Sequence, residues 1–162
     1  MTNPTNLVTA PLADKRITKT ITINAPPATV WAALTEPAIM QQWMAEGEIE
    51  ISTDWQIGQP MIIWGHLHRV KFENKGQVLQ FQPQQFLQYT HLSSISRLPD
   101  EPASYTVIAF RLLPVAAQTA LTLTAWNFPT ETIYKHWAFY WPVALSVLKK
   151  LVEQTVPTLA TR

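Results

Sequence analysis

Histidines on two predicted strands are the side chains of this chain that could hold a metal. His66 and His68 lie two residues apart, and in a strand such residues point to the same face of the sheet. His91 lies on a later strand and would complete the three imidazoles of a catalytic zinc site. No acidic residue is tied to these histidines by its spacing, and exposed histidines are common on strands. We therefore predict no metal and no cofactor, and keep the zinc site as an alternative.

General acid–base catalysis is a second chemistry that the residue types allow. A hydrolase or cyclase would place an acid and a base within reach of its substrate. The candidates are His66, His68, Tyr89, His91, Arg97 and His136. Their spacing fits no catalytic triad order, and the chain has no Gly-x-Ser-x-Gly motif. With 4 glycines in the whole chain, phosphate-cradling loops are absent as well. An enzyme is therefore an alternative to a non-catalytic protein.

Large aromatic side chains are the better candidates for a binding site. Tryptophan and tyrosine combine a wide apolar ring with one polar atom, which suits a partly wet ligand site. Plain core packing is the competing interpretation. It is favoured for Trp31 and stays open for Trp137 and Trp141. The aromatic set that we assign to a pocket is Trp43, Trp64, Trp137, Tyr140 and Trp141.

Composition bounds the class of protein. A chain of 162 residues predicts one domain with a substantial core. Charged residues make up 14% of the chain, against about 25% in a typical domain. A surface with so little charge is compatible with a homodimer. The net charge of +1 gives no electrostatic case for binding nucleic acid.

Cysteine content and hydropathy indicate the compartment. The chain has no cysteine, which excludes disulfides, thiolate catalysis and cysteine–zinc sites. That fits the reducing cytoplasm, where we expect the protein to act. Residues 1–14 lack the basic start and the apolar core of a secretory signal. The longest apolar segment, residues 137–148, is shorter than the ~20 residues of a bilayer-spanning helix, so we predict no membrane span.

Hydrophobic periodicity predicts seven strands and two short helices before a final long one. Residues 17–23 alternate Ile or Lys with Thr, as in a half-buried strand. Pro27 and Pro37 fit the first turns of two short helices, over residues 27–34 and then as far as Trp43. Short turns between successive strands predict an antiparallel meander. The other strands are predicted over residues 48–53, 61–70, 77–82, 86–94, 105–113 and 119–126, with a turn at 74–76.

A long apolar helix is predicted over residues 131–153. Its large apolar residues recur at spacings of three and four, which gives one stripe for packing. At 1.5 Å per residue it would be a rod of about 35 Å, long enough to cross a whole sheet. A sheet wrapped around this helix would enclose a pocket. The predicted domain covers residues 15–156, with a disordered tail at 1–14 and a short tail at 157–162.

The stretch from Ala25 to Pro37, followed by Trp43, resembles the opening signature of one protein family. This is the family of activator of heat-shock protein 90 ATPase homologues, within the START-like (SRPBCC) superfamily. Residues 76–87, 119–124 and 141–153 resemble it too, so the resemblance covers roughly residues 17–153. It implies an α+β helix-grip fold, in which a curved antiparallel sheet wraps around a long C-terminal helix. It also implies a cavity that often binds apolar small molecules.

We predict from these features that the chain binds a small apolar or amphipathic molecule without catalysing a reaction. One alternative is a module that contacts a chaperone through the outer face of the sheet. The other is an enzyme that uses the same cavity. One or two polar side chains on the strands would provide discrimination. The candidate ligand-binding residues are Trp43, Trp64, His66, His68, Tyr89, His91, Ile108, Phe110, Leu121, Leu123, Trp137, Tyr140, Trp141 and Leu145.

Overall fold

A computed structural model describes residues 12–155. The predicted C-terminal tail and residues 1–11 of the predicted N-terminal tail lie outside the described residues, and Leu12–Asp14 form a short 3-10 helix. The strands are β1 Arg16–Ile23, β2 Ile49–Ser52, β3 Pro60–Leu67, β4 Val70–Gln82, β5 Phe86–Ser93, β6 Thr106–Val115 and β7 Gln118–Trp126. The helices are α1 Pro27–Thr35, α2 Pro37–Trp43 and α3 Glu131–Thr155, with 3-10 turns at Ser94–Ser96 and Pro102–Ser104.

All seven strands form one antiparallel sheet, in the order β1-β7-β6-β5-β4-β3-β2. The strands from β2 to β7 follow one another as a meander, whereas β1 pairs with β7, the last strand. The helices α1 and α2 follow β1 and connect it to β2 at the opposite edge. The long α3 packs on β1 and on both short helices. The predicted α+β helix-grip fold is confirmed.

Alternation along the strands separates a buried face from a solvent face. In β7, Leu121, Leu123 and Ala125 are fully buried, and the threonines between them are partly exposed. Thr122 shares a hydrogen bond of 2.8 Å with Thr20 on the outer face of β1. The buried face is the one that α3 covers. The apolar residues of the last hairpin that were predicted to face inward, Ile108, Phe110, Leu121 and Leu123, are all buried.

The hairpin between β3 and β4 corrects the predicted strand boundaries. A single strand over residues 61–70 with a turn at 74–76 is wrong, because the chain reverses at His68 and Arg69. Both residues have positive φ, 49° and 69°, as a two-residue type I′ turn requires. Asparagine and glycine are the residues that usually supply this conformation, so His-Arg is not recognisable as a turn from its residue types. Residues 74–76 lie within β4 instead.

Gly76 lies where β4 and β5 approach each other closely. A Cβ atom at this position would lie 1.6 Å from the carbonyl oxygen of Thr90, so no other residue fits without a backbone shift. The pairing of these strands is irregular nearby, with a bulge between Val78 and Gln80. Glycine in a strand often marks such a bulge. Gly76 of the Asn-Lys-Gly sequence is therefore needed where the backbones of β4 and β5 approach each other, and the chain does not reverse there.

Candidate functional site

Aromatic and polar side chains from β5, β6 and α3 meet on the covered face of the sheet. On β5, Tyr89 and His91 are two residues apart and share that face. On α3, Trp137 and Trp141 are one turn apart, so their rings point in the same direction. We call this group the aromatic cluster; its members are Tyr89, His91, Phe110, Trp137, Tyr140 and Trp141.

Ring contacts hold the aromatic cluster together. The Trp137 and Trp141 rings stack with centroids 5.6 Å apart. Trp141 meets Phe110 edge-to-face at 5.6 Å, and Trp137 meets the His91 imidazole edge-to-face at 4.8 Å. Offset stacks and edge-to-face pairs are the favoured arrangements of such rings. The geometry therefore places the Trp141 ring over β6 and the Trp137 ring over β5.

One hydrogen bond joins the aromatic cluster to α2, and another joins the two short helices to each other. The Tyr140 hydroxyl donates to the carbonyl oxygen of Met44 at 2.6 Å, at the end of α2. The indole N–H of Trp43 donates to the carbonyl oxygen of Ala33 at 2.8 Å. Trp43 is buried and its polar atom is occupied, so its role in this structure is packing. Leu145 is fully buried one turn after Trp141 and closes the interior beneath the cluster.

His91 is uncharged at neutral pH. Packing against Trp137 removes water from its ring, and this burial, together with the nearby His136, lowers the pKa of His91 to about 4. Burial lowers the pKa of His136 as well. An imidazole in this state can donate one hydrogen bond and accept another. The aromatic cluster therefore carries no positive charge from His91 near pH 7.

Both tyrosines of the cluster are neutral phenols. Burial raises the pKa of Tyr89 well above its ordinary value, and the neighbouring Tyr140 raises it further. Burial also raises the pKa of Tyr140. Neither group is poised to act as a base near neutral pH. The cluster is thus a set of neutral hydrogen-bonding groups in an apolar setting.

Two buried polar atoms of this region have no hydrogen-bond partner within residues 12–155. They are the indole nitrogen Nε1 of Trp141, a residue only 1% exposed, and the side-chain oxygen Oδ1 of Asn74. Most buried polar atoms in proteins are paired, and an unpaired one costs about 1–3 kcal/mol. Asn74 was not predicted as a site residue, because Asn-Lys-Gly is typical of a turn and nothing local marks the residue as buried.

The interior between the sheet and α3 is filled by side chains. Phe110, Trp141 and Leu145 are each at most 1% exposed. Two open grooves, of about 280 and 160 Å³, both lie beside Glu73 and Ser94 on the other side of the sheet. Trp137 and the partly exposed Tyr140 and His91 form the rim of the aromatic cluster. Access to the interior would therefore pass through this rim.

Trp64, His66 and His68 lie apart from the aromatic cluster. Trp64 pairs with Glu73 and borders the 280 Å³ groove, and the exposed His66 pairs with Lys71. Met61 and Ile63 occupy the buried face of β3. His68 is in the turn, so the expectation that it shares a strand face with His66 is wrong. The alternative zinc trio is wrong too, since His91 faces the interior, and no cluster of three metal-binding side chains occurs among the described residues.

Within the described part of the chain, no helix is long and apolar enough to cross a membrane.

The residues predicted to bind a ligand do not all come together. Tyr89, His91, Trp137, Tyr140 and Trp141 meet the apolar residues of the last hairpin, and Leu145 is buried one turn further along α3. Trp43 packs between the two short helices. The three residues near the β3–β4 turn lie elsewhere.

Comparison with solved structures supports the fold. ChR145 from Cytophaga hutchinsonii, solved in solution, is 32% identical, with a TM-score of 0.75 over 89% of this chain and 97% of that one. The crystal structure of MLL2253 from Mesorhizobium loti is 23% identical, with a TM-score of 0.70 over 87% and 98% of the two chains. The solution structure of the Aha1 dimer from Colwellia psychrerythraea is 24% identical, with a TM-score of 0.66 over 86% and 96%.

Comparison with family models identifies the family of this chain. No match was found among curated proteins. The model of a single family matches residues 24–153, from the end of β1 to the last turns of α3, and this range contains every member of the aromatic cluster. The chain belongs to the family of Activator of Hsp90 ATPase homolog 1-like proteins.

Proposed function

We propose that this protein binds a small apolar or amphipathic molecule between the sheet and α3, at the aromatic cluster, without catalysing a reaction. The cluster offers wide apolar rings with a few polar atoms, which is the usual lining of a small-molecule site. Neutral histidine and tyrosine side chains leave no charged acid–base pair there. The binding role therefore fits the cluster better than a catalytic role.

The unpaired indole N–H of Trp141 is the observation that carries this proposal. The N–H is buried and has no acceptor among residues 12–155. A ligand with a hydrogen-bond acceptor would supply the missing bond, which is worth about 1–3 kcal/mol when a buried donor is otherwise unpaired.

Trp137 is the side chain that would move to admit the ligand. Its ring is stacked on Trp141 and sits at the rim, 6% exposed, whereas Trp141 lies deeper. Rotating the Trp137 ring outward would open a space the size of an indole against the face of the Trp141 ring. Side-chain rearrangement of this kind is common when ligands bind. The closed interior is then the unliganded state of the site.

Native mass spectrometry of freshly purified protein, compared with the denatured mass, tests the proposal. We expect an added mass that disappears on denaturation. Trp141→Phe keeps a ring but removes the N–H, so the fraction of protein carrying the added mass should fall. Trp31→Phe is the matched control, because Trp31 packs against Phe81 and not within the aromatic cluster. An added mass that Trp141→Phe leaves unchanged would place the ligand elsewhere, and a clean apo mass would count against a ligand.

A second candidate function is a protein-interaction module, and an exposed stripe on α3 favours it. Phe139, Val143 and Val147 are 78%, 55% and 41% exposed and lie one turn apart on the outward side of the helix. Exposed apolar surface of this kind often marks a binding face. The name of the family points to a chaperone, and the Colwellia protein was solved as a dimer. A chaperone or a second copy would cover the stripe.

The chaperone's ATPase rate with and without the purified protein tests this candidate. Phe139→Ser should abolish any stimulation, and Leu113→Ser, at an equally apolar exposed position on β6, should not. Sedimentation analysis of the same variants separates the two partners. Dissociation of a dimer by Phe139→Ser, without any effect on the ATPase, would assign the stripe to a second copy.

A further inference from the structure

The exposed stripe on α3 lies between two charged residues of opposite sign. Residues 136–148 contain no Asp, Glu, Lys or Arg. Glu131 precedes Phe139 by two turns and Lys150 follows it by three, and both charged side chains are exposed. Steps of three and four residues connect them to the stripe, so they share its side of the helix. The axial distance between the two charges is about 28 Å at 1.5 Å per residue.

Both charges remain accessible to a partner. Among residues 12–155, Lys150 forms no ion pair, whereas its neighbour Lys149 pairs with Glu153. Glu131 lies 3.6 Å from Lys15, measured between Lys15 Nζ and Glu131 Oε1, and its side chain is 52% exposed. A partner that carries a base and an acid in the matching places would therefore find both groups free to pair.

A second copy of this chain carries the matching charges when its α3 runs in the opposite direction. Antiparallel helices place the N-terminal end of one beside the C-terminal end of the other. Glu131 of each copy would then lie beside Lys150 of the other. Closed dimers have two-fold symmetry, so the same contact is made at both ends. Helix pairs in bundles cross at about 20°, which keeps both ends within reach of these long side chains.

The same alignment brings the apolar residues of the two helices together. Phe139 lies beside Pro142 of the second copy, and Val143 lies beside its Ala138. All four side chains are exposed in the single chain. Pairing removes them from water, which is the main favourable contribution to protein association. Ala138 and Pro142 have short side chains, so the two helices can approach each other closely.

Lys135 disfavours the neighbouring alignment of the two helices. It is exposed one turn after Glu131, on the same side of α3. Shifting the pairing by four residues would bring Lys135 opposite Lys150 of the second copy at both ends. Like charges placed face to face are destabilising, and at an interface they suppress the wrong arrangement. The charges thus select one of the two alignments.

We propose that a second copy of this chain covers the exposed stripe through antiparallel pairing of the two α3 helices, with Glu131 of each copy beside Lys150 of the other. This inference rests on the second candidate function and commits the stripe to one partner. Two-fold symmetry repeats every favourable contact. Charged residues make up only 14% of the chain, which fits a surface that is partly covered by a second copy.

Charge exchange tests the pairing by sedimentation equilibrium at low salt. Glu131→Lys and Lys150→Glu each place like charges at both ends of the pair, so each should raise the dissociation constant of the dimer about tenfold. An equimolar mixture of the two variants has opposite charges at both ends of the mixed dimer. The double variant has them in its own dimer. Both should recover the wild-type dissociation constant.

Lys71→Glu is the matched control for the change in net charge. Lys71 is exposed on β4, so its replacement should leave the dissociation constant unchanged. High salt should shrink the difference between the wild-type protein and either single variant. The melting temperature of each variant shows that it is folded.

The possible outcomes separate the pairing from the interface and from the partner. A wild-type protein that stays monomeric up to about 1 mM would overturn the inference, and the ATPase assay with Phe139→Ser would then decide the chaperone separately. A dimer that Phe139→Ser disrupts and the charge variants leave intact would overturn the antiparallel alignment. Weakening by the single variants without recovery in the mixture would overturn it as well.

Discussion

Both halves of α3 bury apolar side chains, but the groups around those side chains differ. In the C-terminal half, Leu148 and Val152 are buried without any polar atom to satisfy. Two charged groups there are paired at the edge: Lys149 donates to the carbonyl oxygen of Thr22, and Glu153 accepts a hydrogen bond from the backbone N–H of Asn24. In the N-terminal half, the buried Trp141 has an unpaired N–H, and Trp137 packs against the neutral imidazole of His91 on β5. The C-terminal half therefore contributes apolar packing alone, whereas the N-terminal half also buries polar groups.

Leu148→Ala should cause the largest loss of stability among the changes considered. Leu148 is fully buried in the C-terminal half, and truncation of such a leucine costs about 3–4 kcal/mol because a cavity remains. Urea unfolding followed by tryptophan fluorescence measures the loss. Affinity for a bound ligand should stay unchanged under conditions where the variant is folded. A drop in affinity as large as that of Trp141→Phe would break the division between the halves.

Acid should destabilise the protein by protonating His91, which packs against Trp137 in the N-terminal half of α3. The pKa of His91 is about 4 in the folded protein, against about 6.5 in an unfolded chain. The unfolded state therefore takes up the proton first, so stability falls as the pH drops from about 6.5 towards 4, by at most about 3 kcal/mol. Unfolding free energies measured across this range test the slope.

His91→Phe keeps an edge-to-face ring against Trp137 and does not titrate, so the slope should flatten. His136→Phe should flatten it less, because the His136 side chain is more exposed than that of His91. The carboxyl groups of Asp100 and Glu153 have lowered pKa values and would add their own losses from about pH 5 downwards. A slope that survives His91→Phe would assign the acid sensitivity to another group.

Tyr140→Phe should have an intermediate effect. It removes the hydrogen bond to the carbonyl oxygen of Met44 and leaves that oxygen without its donor, which costs about 1–2 kcal/mol. Thermal unfolding measures the change. If Tyr140 also holds the rim closed, ligand association should become faster in the variant, which stopped-flow fluorescence would detect. Unchanged stability would mean that α2 and α3 hold together without this bond.

Glu153→Gln should have the smallest effect. Its ion pair with Lys149 is partly exposed, and such pairs contribute about 0.5 kcal/mol. The glutamine side chain can still accept the hydrogen bond from Asn24. Denaturant unfolding at low and high salt checks the expectation, since screening should shrink the small difference. A loss as large as that of Tyr140→Phe would show that the edge contacts of the C-terminal half matter as much as its apolar core.

Much of the fold was accessible from the sequence because periodicity is a local property. The alternation in residues 17–23 and 119–126 predicted two strands that pair in the structure. Pro27 and Pro37 marked the starts of α1 and α2. The apolar spacing of α3 predicted the buried positions of Trp137, Trp141 and Leu145. Each of these features depends on neighbours within a few residues.

The β3–β4 turn and the strand position of Asn74 are features that local sequence patterns predicted wrongly. His68 and Arg69 form the β3–β4 turn although neither residue type favours positive φ, since the pairing of the two strands imposes the reversal there. Asn74 and Gly76 lie in a strand for the same reason, although their local sequence resembles a turn. Because the chain reverses at residues 68–69, His68 lies in the turn and outside the predicted site. Asn74 lies within β4 instead of a turn, and its side-chain oxygen is buried.

By itself, the sequence determined the order of the elements, the buried faces of β1, β6 and β7 and the aromatic character of the N-terminal half of α3. Three features depend on the tertiary structure alone. The interior is filled by side chains, burial desolvates the His91 imidazole, and Trp141 Nε1 and Asn74 Oδ1 have no hydrogen-bond partner within residues 12–155. The physical reason is the range of the interactions. Strand and helix periods repeat every two to four residues, whereas the solvation and pairing of a buried atom depend on strands and helices that are distant along the chain.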